Sequence, residues 1–199
     1  MQENPIANFI ALSSSKEVHN NEEYQFSIYH CLPENGEFQL LATNGLRYKE
    51  QNVNLENKDY KHIELYMSLP AYWKIEQRSW PIKWLNLIAQ IPQKNDTWFG
   101  VGDTIPAGDP PQELDEKLTA NTFIISKPIL HANDFATTTE GDNSFQMLSV
   151  FPIFQSELDY KIKNSHTMLF KKFEKHDINE QLDLFRTSVY KKRFFGMFG

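Results

Sequence analysis

The side chains in this sequence that could carry out acid–base chemistry are a histidine and two carboxylates in its middle. His62 and Glu64 are two residues apart in an alternating segment, which places both side chains on the same face of a strand. Asp103 ends the glycine-rich run GVGD at 100–103. A hydrolase-like enzyme using Asp103, Glu64 and His62 would need the three groups to converge in one concave pocket. The sequence leaves this hypothesis open as an alternative.

The residues give little support to phosphate binding, metal binding or cysteine-based catalysis. The prolines at 106, 110 and 111 oppose the helix whose N-terminus a phosphate loop at 100–103 would need. The histidines lack metal-ligand spacing, and the single cysteine, Cys31, argues against a cysteine-based zinc site. Cys31 follows His30 directly, so in a strand the two side chains point to opposite faces and form no nucleophile–base pair. We expect no catalytic residue, no metal and no cofactor.

Apolar spacing predicts the elements that position these groups. Strands or extended segments are expected where residues alternate or aromatic residues cluster. They cover 23–31, 37–43, 62–69, 97–101, 121–126 and 145–151, and a further strand starts at 46–48. Helices are expected from Ser79 to a stop at Pro92, from a cap at Ser156 through Phe173, and from Asp177 to Val189. The segments 52–61 and 102–111 are expected to be loops.

The order of these elements predicts the fold class. Strands dominate early and helices late, with little strand–helix–strand alternation, which is typical of the α+β class: one mixed sheet with helices packed on it. The length of 199 residues fits one domain, and we place it at 1–190, followed by a basic-aromatic tail at 191–199. The tail could contact a membrane surface, so an adaptor acting there is a second alternative.

Tryptophans are concentrated in one stretch, at positions 73, 80, 84 and 98. Tryptophan is favoured both in cores and at interfaces, because it buries a large area and keeps a polar handle. We expect Trp84 and Trp98 to point partly inward, and Trp73 and Trp80 to lie nearer the rim. The segment 80–103 then forms an apolar platform with one carboxylate, Asp103, at its edge, which suits gripping a peptide or protein.

The charge distribution narrows the class of partner. The net charge is −6; residues from Glu157 onward carry nine Lys/Arg and six Asp/Glu, so the rest carries −9. An acidic body argues against nucleic acid and suits a basic protein partner. With one cysteine, no basic leader at the N-terminus and no apolar run near the ~20 residues of a membrane span, we expect a cytoplasmic protein without stable membrane insertion.

An ordered set of segments between His62 and Phe173 resembles the suppressor-of-fused family. The segments are HIELYMSL at 62–69, SWPIKWLNLIAQI at 79–91, TWFGVGD at 97–103, NTFIIS at 121–126, FQMLSVFPI at 145–153 and the Glu157-Leu158 helix start. The resemblance implies an α/β domain that binds protein segments and has no known catalysis. In animal relatives the domain clamps a short peptide of a transcription factor as an added strand.

The resemblance also implies site residues and a kind of partner. It places Asp103 where a family carboxylate contacts a peptide histidine, and Ile91 where the same peptide site has a tyrosine. Short stand-alone relatives look like bacterial immunity or antitoxin proteins, which neutralise a toxin of the same cell. The expected partner-binding residues are Trp80, Ile91, Trp98, Gly102 and Asp103. The partner is expected to be a protein, and a cognate toxin that is basic would fit.

Overall fold

One seven-stranded mixed sheet organises the part of the chain that the computed structural model describes, residues 5–135, 139–140 and 143–190. The strands are β1 (Leu12–Asn21), β2 (Phe26–Pro33), β3 (Phe38–Asn44), β4 (Ile63–Pro70), β5 (Thr104–Pro106), β6 (Thr122–Ser126), β7 (Thr139–Glu140), β8 (Asn143–Ser144) and β9 (Gln146–Ile153). The helices are α1 (Trp80–Lys94), α2 (Gln155–Lys163) and α3 (His166–Lys175). The tail at 191–199 lies outside the described residues.

The strand order confirms the α+β prediction. The large sheet runs β1-β2-β3-β4-β9-β6-β5, and β7 pairs with β8 separately. Only β4 and β9 are parallel within the large sheet; its other neighbours are antiparallel. The expected β2–β3 hairpin is present, and β9 is interior, with β4 on one side and β6 on the other.

Helix α1 covers one face of the sheet. Its apolar stripe of Leu85, Ile88 and Ala89 is buried in the largest core cluster. The sheet contributes alternate residues of its central strands to the same cluster: Ile63, Leu65, Met67 and Leu69 of β4, Leu148 and Val150 of β9, and Phe123 and Ile125 of β6. Burying a Leu or Ile side chain is worth about 1.5–3 kcal/mol, so this stripe fixes the helix on the sheet.

Two separate clusters cover the opposite face. Leu169 and Phe173 of α3 pack on Phe151 and other residues at the later end of β9. Tyr66, near the middle of β4, belongs to a cluster with Ile6 and Phe135, which come from segments outside the sheet. Both faces of the central strands are therefore closed, which explains why every residue of β4 is buried.

The helix boundaries differ from those expected. Helix α1 continues through Pro92 to Lys94, because proline near a helix end removes only one hydrogen bond. The long helix expected through Phe173 is two helices, since the Ser165 side chain accepts a hydrogen bond from Met168 N–H and starts α3 anew. The start of α2 is capped by Glu157 on Phe154 N–H, and not by Ser156.

The helix expected from Asp177 to Val189 is absent. In its place residues 176–190 form an irregular segment, which we call the C-terminal strap. Asn179 and Asp183 each accept a hydrogen bond from the N–H two residues later, at 2.9 and 2.8 Å. Such side-chain turns compete with helix formation, which explains the error in this prediction.

The strands also differ from those expected. The first strand, β1, was not expected because an exposed edge strand with the sequence LSSSKEVHNN carries almost no apolar alternation. The strand expected to start at 46–48 is a 3-10 helix, and the segment 97–101, expected to be extended, pairs in no strand. The expected loops contain β5 at 104–106 and a 3-10 helix at Leu55–Tyr60.

A candidate partner-binding face

The half-buried tryptophans lie along α1 and the segment that follows it. Trp80 meets Trp73 edge-to-face at 5.8 Å, and Trp84 packs on Phe123 of β6 at 5.4 Å. Trp73 is 5% exposed and belongs to the core, so its expected position near the rim was wrong. Trp80 and Trp84 each keep a part of the ring at the surface.

Trp98 is held by its contacts with two neighbours. Its ring stacks on Tyr60 with centroids 5.9 Å apart and planes at 27°. A Cβ at Gly100 would lie 2.5 Å from the Trp98 ring, so the glycine permits the ring to fold over its own backbone. The fold of the described chain thus holds the Trp98 ring in one position.

Asp103 closes the turn at 100–103. Its Oδ2 accepts a hydrogen bond from Gly100 N–H at 2.8 Å, and its own N–H donates to Gly100 O at 3.2 Å. Asp103 is half-buried, and Oδ1 has no hydrogen-bond partner among the described residues. One carboxylate oxygen therefore shapes the turn while the other is available as an acceptor.

Gly102 has a structural role in this turn. It is buried, its φ is +96°, and a Cβ there would lie 2.4 Å from Cγ of His166 at the start of α3. Its N–H donates to Ile125 O of β6 at 2.8 Å. Gly102 thus lets the turn reach between β6 and α3, and any contribution to partner binding would be indirect.

The five expected site residues lie along an elongated face and do not form one compact cluster. Trp80 begins α1, and Ile91 follows eleven residues later, about 16 Å along the helix axis at ~1.5 Å per residue. Asp103 is beside Ile125 at the far end of β6, whereas Trp80 contacts Phe123 nearer its start. We call this region, formed by Trp80, Trp84, Ile91, Trp98 and 101–106, the α1–β5 face.

An open strand edge borders the α1–β5 face, because β5 is the last strand of the sheet. Asp103 O accepts from Ile125 N–H at 2.9 Å, and Ala107 N–H donates to Asn121 O at 2.8 Å, so residues 103, 105 and 107 turn towards β6. In an antiparallel pair, successive residues of a strand direct their N–H and C=O groups to opposite sides. The N–H and C=O of Thr104 and the C=O of Pro106 therefore point away from β6. An added strand would find a donor and acceptors there.

The structure does not assemble the enzyme site considered from the sequence. Glu64 is fully buried, and its carboxylate accepts from Arg47 Nη1 at 2.7 Å, Thr43 Oγ1 at 2.6 Å and Gly45 N–H at 2.8 Å. His62 lies next to it and contacts Arg47 O through Nδ1 at 2.8 Å. Glu64 is therefore a structural partner of Arg47, closed off from solvent.

Asp103 is remote from both of these residues. Glu64 lies on β4, and Asp103 continues the line of β5, which is three strands further along the order β4-β9-β6-β5. At ~4.8 Å per strand spacing the two backbones are about 14 Å apart. This separation exceeds what one reacting group can bridge, so the hypothesis of a hydrolase using these three residues was wrong.

A serine–histidine–aspartate arrangement that the sequence did not reveal lies on the face of the sheet opposite α1. Ser68 Oγ is 3.1 Å from His131 Nε2, and His131 Nδ1 is 3.5 Å from Asp134 Oδ2. The histidine lies between the serine and the aspartate, as it does in a catalytic Ser-His-Asp triad. Ser68 and His131 are buried, however, and neither lines the described cavities. Among the described residues, the Ser68 side chain is closed off from solvent.

The surroundings indicate that this arrangement ties the C-terminal strap to the sheet. The carboxylate of Glu180 accepts from Tyr66 Oη at 2.8 Å and from the N–H groups of Ile129, Leu130 and His131 at 3.0, 2.9 and 3.3 Å. Burial lowers the pKa of His131, against the opposing effects of Glu180 and Asp134. Burial also raises the pKa of Tyr66, and the Glu180 carboxylate reinforces that shift.

Neither a metal site nor a membrane span is found in the described part of the chain. No three His, Cys, Asp or Glu residues there are grouped so as to hold a metal ion. No helix among those residues is both long enough and apolar enough to cross a bilayer.

Solved structures with a similar fold include three from suppressor-of-fused proteins or their complexes. A putative suppressor-of-fused homologue from Neisseria gonorrhoeae aligns with a TM-score of 0.60 at 18% identity, over 88% of this chain and 86% of that one. A chain of a Sufu-Fu complex aligns with a TM-score of 0.61 at 12% identity, over 89% and 85%. Drosophila Suppressor of Fused gives 0.57 at 13%, over 83% of this chain but 42% of its own length.

The fold is therefore that of suppressor-of-fused domains. No curated protein sequence matches the chain significantly. The family model for suppressor of fused protein matches residues 22–187, which is most of the chain. The chain belongs to the suppressor-of-fused family, and the resemblance noted in the sequence is confirmed.

Proposed function

We propose that this chain is a non-catalytic, protein-binding domain that takes an extended segment of its partner along the α1–β5 face. The observation that carries the proposal is the meeting, on one face, of half-buried aromatic rings and an open strand edge. Added strands gain affinity from main-chain hydrogen bonds and specificity from side-chain pockets. The distance of about 16 Å from Trp80 to Ile91 matches about five residues of extended chain.

Asp103 has a defined role in this proposal. Its Oδ1 accepts a donor from the partner, such as a histidine, lysine or arginine side chain, while Oδ2 keeps the turn closed. Hydrogen bonds to a charged group contribute about 1.5–3 kcal/mol, which makes this a suitable anchor. The indole N–H of Trp80 is buried without an acceptor in the described structure, and a small ring shift would offer it to a partner carbonyl.

The family relatives support protein binding in general terms. One of the similar structures is that of a Sufu-Fu complex, in which a protein of this fold is found with a protein partner. At 12% identity the similarity carries the fold, and the use of the same fold for protein capture is our extension to this chain.

The more specific proposal is that the chain is an immunity or antitoxin protein acting in the cytoplasm of a bacterium on a basic toxin. The formal charge of −6 supports it, because an acidic inhibitor captures a basic partner faster through electrostatic steering. The sequence contains one cysteine, so no disulfide can form between its own residues, which fits a reducing compartment.

Co-expression with the product of the neighbouring reading frame tests this proposal. We expect the two proteins to purify together, and we expect this chain to relieve the toxicity of its neighbour. Salt should slow association, because steering between exposed charges is screened at a Debye length of ~8 Å. A toxic neighbour that this chain neither binds nor neutralises would show that the immunity role is wrong.

A further inference from the structure

An open groove lies beside the C-terminal strap, outside the α1–β5 face. Its volume is about 810 Å³. It is formed by the 111–119 loop, the start of α2 and residues 184–188 of the strap, and no residue of α1 lines it. The groove is large enough for several side chains of a peptide.

The floor and one wall of the groove are apolar. Phe154 and Leu184 are buried beneath it, whereas the ring of Phe185 is 69% exposed. Lys117 Nζ lies 5.7 Å from the Phe185 ring centre, which orients the ring at the surface. Phe185 therefore offers an exposed apolar surface next to the buried Phe154 and Leu184.

The 107–118 loop beside the groove carries net negative charge, and of its charged residues Glu113 and Lys117 line the groove itself. Asp109, Glu113 and Glu116 are exposed, and no ion pair in the described structure uses them. Two nearby charges are already paired: Asp115 with Arg78 at 3.1 Å, and Arg186 with the buried Glu157 at 2.7 Å. Lys117 is then the one cation of the 107–118 loop against three uncommitted carboxylates.

We propose that the chain's own C-terminal tail, residues 191–199, docks in this groove. Its sequence, KKRFFGMFG, supplies three cations for the exposed carboxylates of the 107–118 loop and Phe and Met side chains for Phe185 and Leu184. The tail begins three residues after Ser188, which lines the groove. Nine residues reach up to ~30 Å when extended, so the distance is no obstacle.

Tethering makes even a weak contact sufficient. A short covalent link gives the tail an effective concentration of ~1 mM or more at the groove, so a millimolar affinity keeps the tail bound for much of the time.

Limited trypsin digestion of the full chain tests the proposal, since Lys191, Lys192 and Arg193 are cleavage sites inside the tail. The rate of tail cleavage, followed by mass spectrometry, should rise about fivefold in Phe185→Ser if the tail is bound about four-fifths of the time. Leu55→Ser is the matched control, because Leu55 is 92% exposed and does not line the groove. Glu113→Gln should also speed cleavage, and Glu56→Gln should not.

Three results would overturn the proposal. Equal cleavage rates in Phe185→Ser and Leu55→Ser would show that the groove does not hold the tail. Protection that disappears on dilution to nanomolar protein would mean that the tail docks on a second copy. Protection seen only after adding anionic phospholipid vesicles would make the tail a membrane ligand.

Discussion

Three buried glutamates, Glu64, Glu157 and Glu180, each accept hydrogen bonds from backbone N–H groups far away in sequence. Each is fully buried, and each holds an irregular segment: 45–47, 186–189 or 129–131. Their roles could not be predicted, because a glutamate in a sequence is most often exposed. The expected role of Glu64 as an acid or base failed for this reason.

Asp103 has one bonded and one available carboxylate oxygen in the turn at 100–103, and its expected contact with a partner is untested. Gly102 was expected to contact a partner, and that expectation is untested; its positive φ and its contact with His166 give it a structural reason to be glycine.

A pH effect on stability is expected from His131. Burial lowers its folded pKa below the ordinary value of 6.5, so the unfolded chain binds the proton more readily. The stabilisation is complete above about pH 6.5 and is lost as the pH falls from there towards the folded pKa, with a slope of up to ~1.4 kcal/mol per pH unit. The charged and titratable groups facing the ring are Glu180, Asp134 and Tyr66.

Urea unfolding at several pH values between 7.5 and 5 measures this effect. His131→Gln should reduce the fall in unfolding free energy over that range, whereas the exposed His176→Gln should leave it unchanged. If His131→Gln and the wild type lose stability in parallel, His131 is not the group responsible.

At the scale of elements, prediction succeeded where burial imposes a period on the sequence. Helix α1 and strands β4, β6 and β9 carry such patterns and were found within a few residues. The edge strands β1 and β5 were missed, because an edge strand buries little and shows little alternation. The C-terminal strap was predicted to be a helix because its apolar residues have helical spacing. In the structure these residues make their contacts from an irregular segment.

The two sheet edges differ in how open they are to strand addition. Strand β1 is long, but its register shifts at two places and its centre carries Lys16 and Glu17. Bulges and charges of this kind discourage pairing with another chain. Strand β5 has neither a register shift nor a charged residue, and its three-residue length and Pro106 limit an added strand to a few hydrogen bonds.

Arg186 should be the main anchor of the strap. Its guanidinium donates to both oxygens of Glu157, at 2.7 and 3.0 Å, and to Pro152 O at 2.8 Å, and it lies 4.6 Å from the Phe154 ring. Lysine cannot form the paired hydrogen bonds or stack, so Arg186→Lys should lower the free energy of unfolding by about 2–4 kcal/mol. Exposed Lys171→Arg is the control. Equal urea midpoints for Arg186→Lys and wild type would contradict this role.

The whole molecule preserves the suppressor-of-fused fold at 12–18% identity to the solved structures it matches. The fold was predictable because the order and spacing of several buried segments were retained. The identity of the partner was not predictable, because binding depends on surface residues, and the spacing of buried residues does not constrain those. The net charge of −6 is a property of the whole molecule. It affects the rate of association with a partner more than it affects the fold.

The most direct test of the central claim is a calorimetric titration of the partner into Asp103→Asn. Asparagine can still accept the Gly100 hydrogen bond, so the turn should persist while the charged acceptor is lost. Glu56→Gln is the matched control, since it removes one exposed charge elsewhere. We predict that Asp103→Asn weakens binding about tenfold, or ~1.4 kcal/mol, and that Glu56→Gln binds like the wild type. Equal affinities for all three proteins would contradict the assignment of the α1–β5 face.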